Sequence, residues 1–431
     1  MPTALPGTGD SPHFTRNRKI PLHKLIVFLL SMTVSGKHRG VDGKLGEFFK
    51  QARRSGLWPE AEAAHRSAVT KARSKLPWEV LQSIHQGAVQ LAYECWPDTP
   101  ESTWNGFNVI AFDGSKFTLP ASAELREVFD PEAGLDNPGK GHYPQCLVST
   151  AYDVFRRIPV ARTIMPIHQG SEREEVKQML PYIPSKSILL FDRGYPSFDL
   201  IKYLDKHYDG FYLFRCPASS TFPAVERFVQ SGDREGIVWI DPTSSFLSSQ
   251  PQQQRDEVTP IMLRAIRLES PDGTVSVLLT GLINTTAFSA DSIIDLYFRR
   301  WQIESYYRDE KCFLGLESFH SRTENGIRQE LFAVMIMSVI ARLMMVFEPT
   351  PCPQHKSRPQ FKNAVMALAS DAAMLASENP EMAIAIFWEV LDEIARVRYY
   401  PPKKPRPPQP RVCKESINKW KQRRAEKLAE A

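Results

Sequence analysis

Apolar positions recur at two different spacings along this chain. Through the first hundred residues they return every three or four positions among lysines and arginines, over 21–34, 43–55, 60–75 and 77–92. That period lays one greasy stripe along each of four helices and predicts a small basic helical domain over 1–100. Near Trp104 the pattern changes. Residues 108–119 have the β-branched and aromatic content of a strand, and 145–152 and 158–165 read as two more, joined by a turn at 153–157.

Ser171 then opens a helix as a candidate N-cap with acids in the first turn, 187–191 is a short apolar strand, 198–207 is helical and 211–215 is strand again. From 217 to 286 the composition moves to Ser, Gln and Pro with short alternating segments, which predicts a β-rich insertion. Helix resumes at 289–319, continues at 331–347 and fills much of 361–397, before a proline-rich basic tail over 401–431. The order of three strands, helix, strand, helix, strand and later helices is that of an α/β ribonuclease H-like mixed-sheet core. Its first part is expected over 101–216 and its second over 287–348, with C-terminal helices over 349–400.

Composition narrows the class. Hydrophobic residues at 42% and charged residues at 24% suit a globular chain and exclude a wholly disordered one. The opening at 2–19 is polar and basic, 25–34 is too short to span a bilayer, and Arg342 interrupts the greasy run at 331–347, so a cytoplasmic protein is expected. The six cysteines are widely spaced, without the pairing of a zinc knuckle or a disulfide scaffold. The net charge of +5 conceals an asymmetry: residues 1–80 carry about +8 and residues 401–431 about +7, leaving a middle near −10. Basic ends around an acidic centre suit a polyanion partner held at the flanks and cations held in the middle, although solvated basic tails give the same count.

Three acids carry the candidate chemistry. Asp113 is expected at the end of the first strand, in Phe112-Asp113-Gly114-Ser115, where a hairpin turn would also place Asp-Gly. Asp192 follows the apolar strand at 187–191, at the strand end where open α/β sheets gather active sites, and where a capping acid would also stand. Glu304 lies on the later helix with Tyr297, Arg300 and Lys311. At about 100° per residue these four share an arc of roughly 60°, either a phosphate-gripping stripe around one carboxylate or a solvated face with an i, i+4 ion pair. Phosphodiester chemistry needs an activated oxygen and a stabilised leaving oxygen, and two Mg²⁺ ions on hard carboxylate ligands supply both. Tyr297, Arg300 and Lys311 would then hold flanking phosphates. His168 and Glu172 read as loop and cap groups, and Arg193 as a turn cap or phosphate contact.

Asp113 in DGS, Asp192 in DRGY, and Tyr297-x2-Arg300-x3-Glu304-x6-Lys311 resemble the DDE transposases of bacterial insertion sequences, in the Y-R-E-K branch of the insertion-sequence-four type. The likeness covers about 105–345, with a further familiar segment at 67–76. It implies a ribonuclease H-like core with a β-rich insertion between the second Asp and the Glu, here 112 positions apart. It implies metal and catalytic roles for Asp113, Asp192 and Glu304, with Mg²⁺ as cofactor and Mn²⁺ tolerated. It also implies double-stranded DNA with terminal inverted repeats as partner, a homodimer on paired ends, and cut-and-paste strand cleavage and transfer through a hairpin. An aromatic of the insertion would stack on a flipped base. Trp239 is the candidate by type and region, a core tryptophan being the alternative; Trp301 fits the Arg-Trp pair of that branch. Two rivals remain, a ribonuclease H-like nuclease or resolvase that cuts without joining, and a DNA-binding derivative without catalysis.

Overall fold

The computed structural model describes residues 20–33, 41–56, 64–97, 99–131, 143–252, 255, 258–270, 273–347 and 357–400. The basic tail expected over 401–431 lies outside them. Four helices come first: α1 (Leu22–Ser31), α2 (Val41–Arg54), α3 (Arg66–Arg73) and α4 (Trp78–Cys95). The central part runs β1 (Asn108–Thr118), α5 (Ala123–Phe129), β2 (Gln145–Asp153), β3 (Ile158–Pro166), α6 (Glu172–Met179), β4 (Ser187–Phe191), α7 (Phe198–His207) and β5 (Phe211–Pro217). Next come α8 (Pro223–Ser231), β6 (Glu235–Ile240), α9 (Ser244–Ser249), β7 (Ile261–Glu269) and β8 (Val275–Thr280). The chain continues through α10 (Ala290–Phe298), α11 (Trp301–Arg308) and α12 (Glu324–Val346) to β9 (Arg358–Pro359), α13 (Phe361–Ser370), α14 (Ala372–Leu375), α15 (Pro380–Arg396) and β10 (Arg398–Tyr399).

One sheet of eight strands organises this, in the order β3-β2-β1-β4-β5-β8-β7-β6. The hairpin of β2 and β3 lies antiparallel beside β1, while β4 and β5 run parallel to β1. This is the ribonuclease H-like arrangement that the element order predicts. Strand β4 is buried at every position because parallel strands are covered on both faces. Val109, Ala111, Leu190, Leu213 and Leu278 point into the apolar core shared with α10, α11 and α12. Their neighbours Ile110, Phe112, Phe191, Phe214 and Leu279 point the other way, onto α6, α7 and α8.

Two expectations are refined. The segment read as β-rich contains two helices, α8 and α9, and its three strands extend the core sheet, β8 pairing antiparallel with β5. The long apolar helix α12 meets the length and composition of a membrane span, yet two-thirds of its most apolar window is buried inside the protein. It supports one face of the sheet and packs along α4, with Trp78 and Phe332 stacked at 5.5 Å.

Candidate active site

The register of two strands brings the first two acids level. Strands β1 and β4 pair from Asn108↔Ser187 to Ala111↔Leu190, so Asp113 and Asp192 each lie two residues past the last pair. Asp113 keeps an exposed edge of 20% at its side chain. Asp192 is fixed by its own turn, its Oδ1 accepting from the Gly194 N–H at 2.8 Å, the Asx geometry that Asp-x-Gly favours.

The third acid arrives from a broken helix. Ser289 caps α10 by accepting from the Ser292 N–H. At 299–303 the N–H groups of Arg299, Arg300, Gln302 and Ile303 bond to carbonyls three residues back, so the chain tightens and α11 starts anew at Trp301. The break delivers Arg300 between two acids: Nη2 is 2.9 Å from Glu304 Oε1 and Nη1 is 3.9 Å from Asp113 Oδ1. The guanidinium is nearly buried, and Nε and Nη1 have no hydrogen-bond acceptor.

Lys311 departs from the predicted stripe. Residues Asp309–Phe313 form a π turn, so the constant rotation per residue fails before Lys311 is reached. Its Nζ donates to Ser115 Oγ at 2.8 Å and to the Lys116 carbonyl at 2.6 Å, pinning the helix to the far half of β1. Tyr297 is only 2% exposed, so its phenol lies buried beside Arg300 and is not presented to solvent. Of the predicted four, Arg300 and Glu304 therefore meet beside Asp113, while Lys311 and Tyr297 brace the elements that hold them.

Other contacts fix α11 on the sheet. The Tyr307 hydroxyl donates between the carbonyls of Asp113, at 2.8 Å, and Val148, at 3.0 Å. Behind it Arg162 on β3 and Glu310 form a fully buried pair, Nη2 lying 2.9 Å from both carboxylate oxygens. Arg162 Nε also donates to Thr150 Oγ1 at 3.1 Å.

Glu172, read from sequence as a cap group, proves to be part of the cluster. A β-carbon on Gly114 would stand 2.1 Å from Glu172 Oε1, so the glycine is what lets this carboxylate lie against β1 beside Asp113. Burial, then Asp192 and Glu175, raise the Glu172 carboxyl, while a hydrogen bond from Tyr195 lowers it. The signal for it was present in Gly114, a glycine inside a strand, which marks close approach of another group. His168 bonds to the side chain of Gln169 and joins no site. Trp239 is 56% exposed on β6, opposite Met262, so the alternative of a core tryptophan is corrected. Trp301 is exposed as well.

Electrostatically the cluster is overloaded with negative charge. The Asp113 carboxyl is pushed up to about 7, first by burial and then by Asp192, Glu172 and Glu304, with Arg300 opposing. Among the described residues no three His, Cys, Asp or Glu side chains stand close enough to hold one ion together, and Glu304 is paired with Arg300. The donor chemistry nevertheless fits a hard divalent cation: carboxylate oxygens only, in excess of the one positive group among them.

A mixed sheet with one acid midway along β1, a second just past the end of the parallel β4 and a third on a covering helix defines a ribonuclease H-like class of α/β protein. Within it, the chain belongs to the transposase DDE domain family, whose model matches residues 104–340. It is similar to the transposase InsG for insertion sequence element IS4 of Escherichia coli strain K12, at 25% identity over 285 residues, covering 65% of this chain and 61% of that protein. It is also similar to the putative transposase y4zB of Sinorhizobium fredii, at 30% identity over 162 residues, covering 37% of this chain and 43% of the other. The chain thus spans about three-fifths of InsG and less than half of y4zB.

Proposed function

We propose that this protein is a DNA transposase that cuts DNA at the ends of an insertion sequence and joins those ends to a target, using Asp113, Asp192 and Glu304. The observation that carries the reading is the approach of the three acid-bearing elements to one another around Arg300. Asp113 and Asp192 are level on adjacent strands, and Arg300 reaches both Asp113 and Glu304 across the helix break.

The chain's own groups divide the work. Asp113, Asp192 and Glu304 would hold divalent cations, Mg²⁺ in the first instance with Mn²⁺ tolerated. Bound there, such ions activate the attacking oxygen and stabilise the leaving one. Glu172, kept in reach by Gly114, adds a carboxylate to the same cluster. Arg300 is the group placed to take a phosphate oxygen: it is buried, already oriented by Glu304, and has a free N–H at Nη1. Tyr297 and Lys311 fix the two ends of the segment that presents it. The exposed indole of Trp239 offers a stacking surface for an unpaired base. Double-stranded DNA with terminal inverted repeats is the proposed substrate, and a homodimer the proposed working form.

The test is cleavage of a duplex carrying the inverted repeats that flank the protein's own gene, in Mg²⁺. Nicked and joined products are expected from the wild type and neither from Glu304→Gln, with binding of the same duplex retained. Equal cleavage by Glu304→Gln removes Glu304 from the site. Nicks without joined product in the wild type would favour the nuclease reading.

A further inference from the structure

A second concentration of charge lies on the same side of the sheet as α11 and has the opposite sign. Burial and then Arg342, Arg308, Arg157 and Arg358 act on the Asp309 carboxyl, the arginines pulling down what burial raises. Burial, Arg342, Arg358 and Arg299 in turn hold Arg157 down at about 10, still charged at neutral pH. Four guanidinium groups thus act on one carboxylate, with Arg299 beside Arg157 as a fifth, and among the described residues none of the five makes an ion pair.

Three of the guanidinium groups lie over aromatic rings. Arg342 lies 3.9 Å over Phe361, Arg299 4.6 Å over Phe155 and Arg358 5.4 Å over Tyr399. Arg342 Nε is buried without an acceptor. Arg157 adopts φ +61° in the turn between β2 and β3, a left-handed conformation that strains a residue carrying a β-carbon. Like charges gathered beside one carboxylate at a backbone cost, with the Arg342 Nε donor unpartnered, suit an anionic ligand. Helix α11 joins this site to the acids: Arg308 stands four residues beyond Glu304, about 6 Å along the axis. Successive phosphates of one DNA strand advance about 3.4 Å along the duplex, so the spacing between Glu304 and Arg308 corresponds to about two such steps.

We propose that Arg157, Arg299, Arg308, Arg342 and Arg358 form a phosphate-binding site separate from the carboxylate cluster. Resting on the transposase reading, its ligand is a backbone phosphate of the DNA a few nucleotides from the reacting bond. The site orients the strand that α11 presents to the acids, and its contacts carry no base preference.

The experiment uses the full chain and a labelled duplex, with anisotropy recorded across a salt series. Arg308→Gln/Arg358→Gln, both at exposed positions, is expected to keep the wild-type thermal midpoint and to lower the salt slope by about two, with at least about a tenfold loss of affinity at low salt. Arg157→Gly is expected to lower the slope by about one while the thermal midpoint holds or rises, because glycine relieves the φ strain. Lys206→Gln, on α7 across the sheet, should leave the slope alone. An unchanged slope in the folded arginine variants, or an equal drop in Lys206→Gln, overturns the proposal. Inorganic pyrophosphate separates the two readings. If the wild type binds no DNA yet pyrophosphate raises its midpoint and not that of Arg308→Gln/Arg358→Gln, the phosphate site stands and the transposase reading fails. A pyrophosphate response untouched by the substitutions overturns the site itself.

Discussion

Asp113 carries the clearest consequence at the scale of single residues. Its carboxyl ordinarily titrates near 3.8 and here is pushed to about 7, so between those values the folded chain holds a proton that the unfolded chain has released. Stability of the metal-free protein must therefore fall as pH rises through that window, since the unfolded state binds fewer protons there. Asp113→Asn removes the penalty. In EDTA it should be more stable than wild type by up to about 4 kcal/mol at about pH 8, with a smaller gap at about pH 5. Urea unfolding at the two values decides, and equal gaps would sink the account. A second expectation concerns Gly114, where an added methyl would meet the Glu172 carboxylate at 2.1 Å. Gly114→Ala should cost only about 1 kcal/mol of stability, as Glu172 swings outward, yet lose most DNA cleavage. Retained cleavage would show that the position of Glu172 is immaterial. Periodicity places Asp113 and Asp192 on or after strands and Glu304 on a helix, but leaves each with a structural alternative, so their joint role rests on the family resemblance. Glu172 was not legible, because its reach depends on an absent β-carbon on another strand.

At the scale of elements, the helix break and the π turn decide what faces what. A uniform helix over 289–319 would align Tyr297, Arg300, Glu304 and Lys311 on one stripe; the tightened turn at 299–303 and the π turn at Asp309–Phe313 send Lys311 to β1 instead. Periodicity exposes where a helix is amphipathic and not where its hydrogen bonding shifts, so the helix was readable and its two irregularities were not. The π turn is held from below by Arg162 and Glu310, a pair with both side chains fully buried. Removing one partner strands a buried charge. Glu310→Leu or Arg162→Met should each cost about 3 to 5 kcal/mol, while the double substitution recovers much of it. A double-mutant cycle in urea measures this, and additive losses would show that the two groups are not coupled.

The largest scale is where the expected partition into domains meets the packing. The helices α1 to α4 share one continuous apolar core with β1, α12 and α15, running from Leu25 and Phe49 through Leu81 and Ala111 to Leu331 and Leu391. Polar contacts cross the same boundary: Arg73 pairs with Glu330 at 2.7 Å and donates to Gln329 at 2.7 Å, and Asn325 accepts from the Trp78 N–H at 2.9 Å. Sequence composition marks the first hundred residues as basic and helical, but says nothing of where their apolar stripes go, because a stripe specifies burial and not the partner that buries it. Here the partner is α12, whose buried positions lie on every side of the helix. A chain beginning at residue 101 would therefore leave the α4-facing side of α12, with Phe332 among its side chains, open to water. Such a fragment should be insoluble or bind an apolar dye strongly, and the full chain should lose the helices of its first hundred residues and its sheet in one thermal transition followed by circular dichroism and tryptophan fluorescence together. A soluble fragment from residue 101 with an independent transition would instead mean that the amino-terminal helices are a separate module, docked on a catalytic unit complete without them.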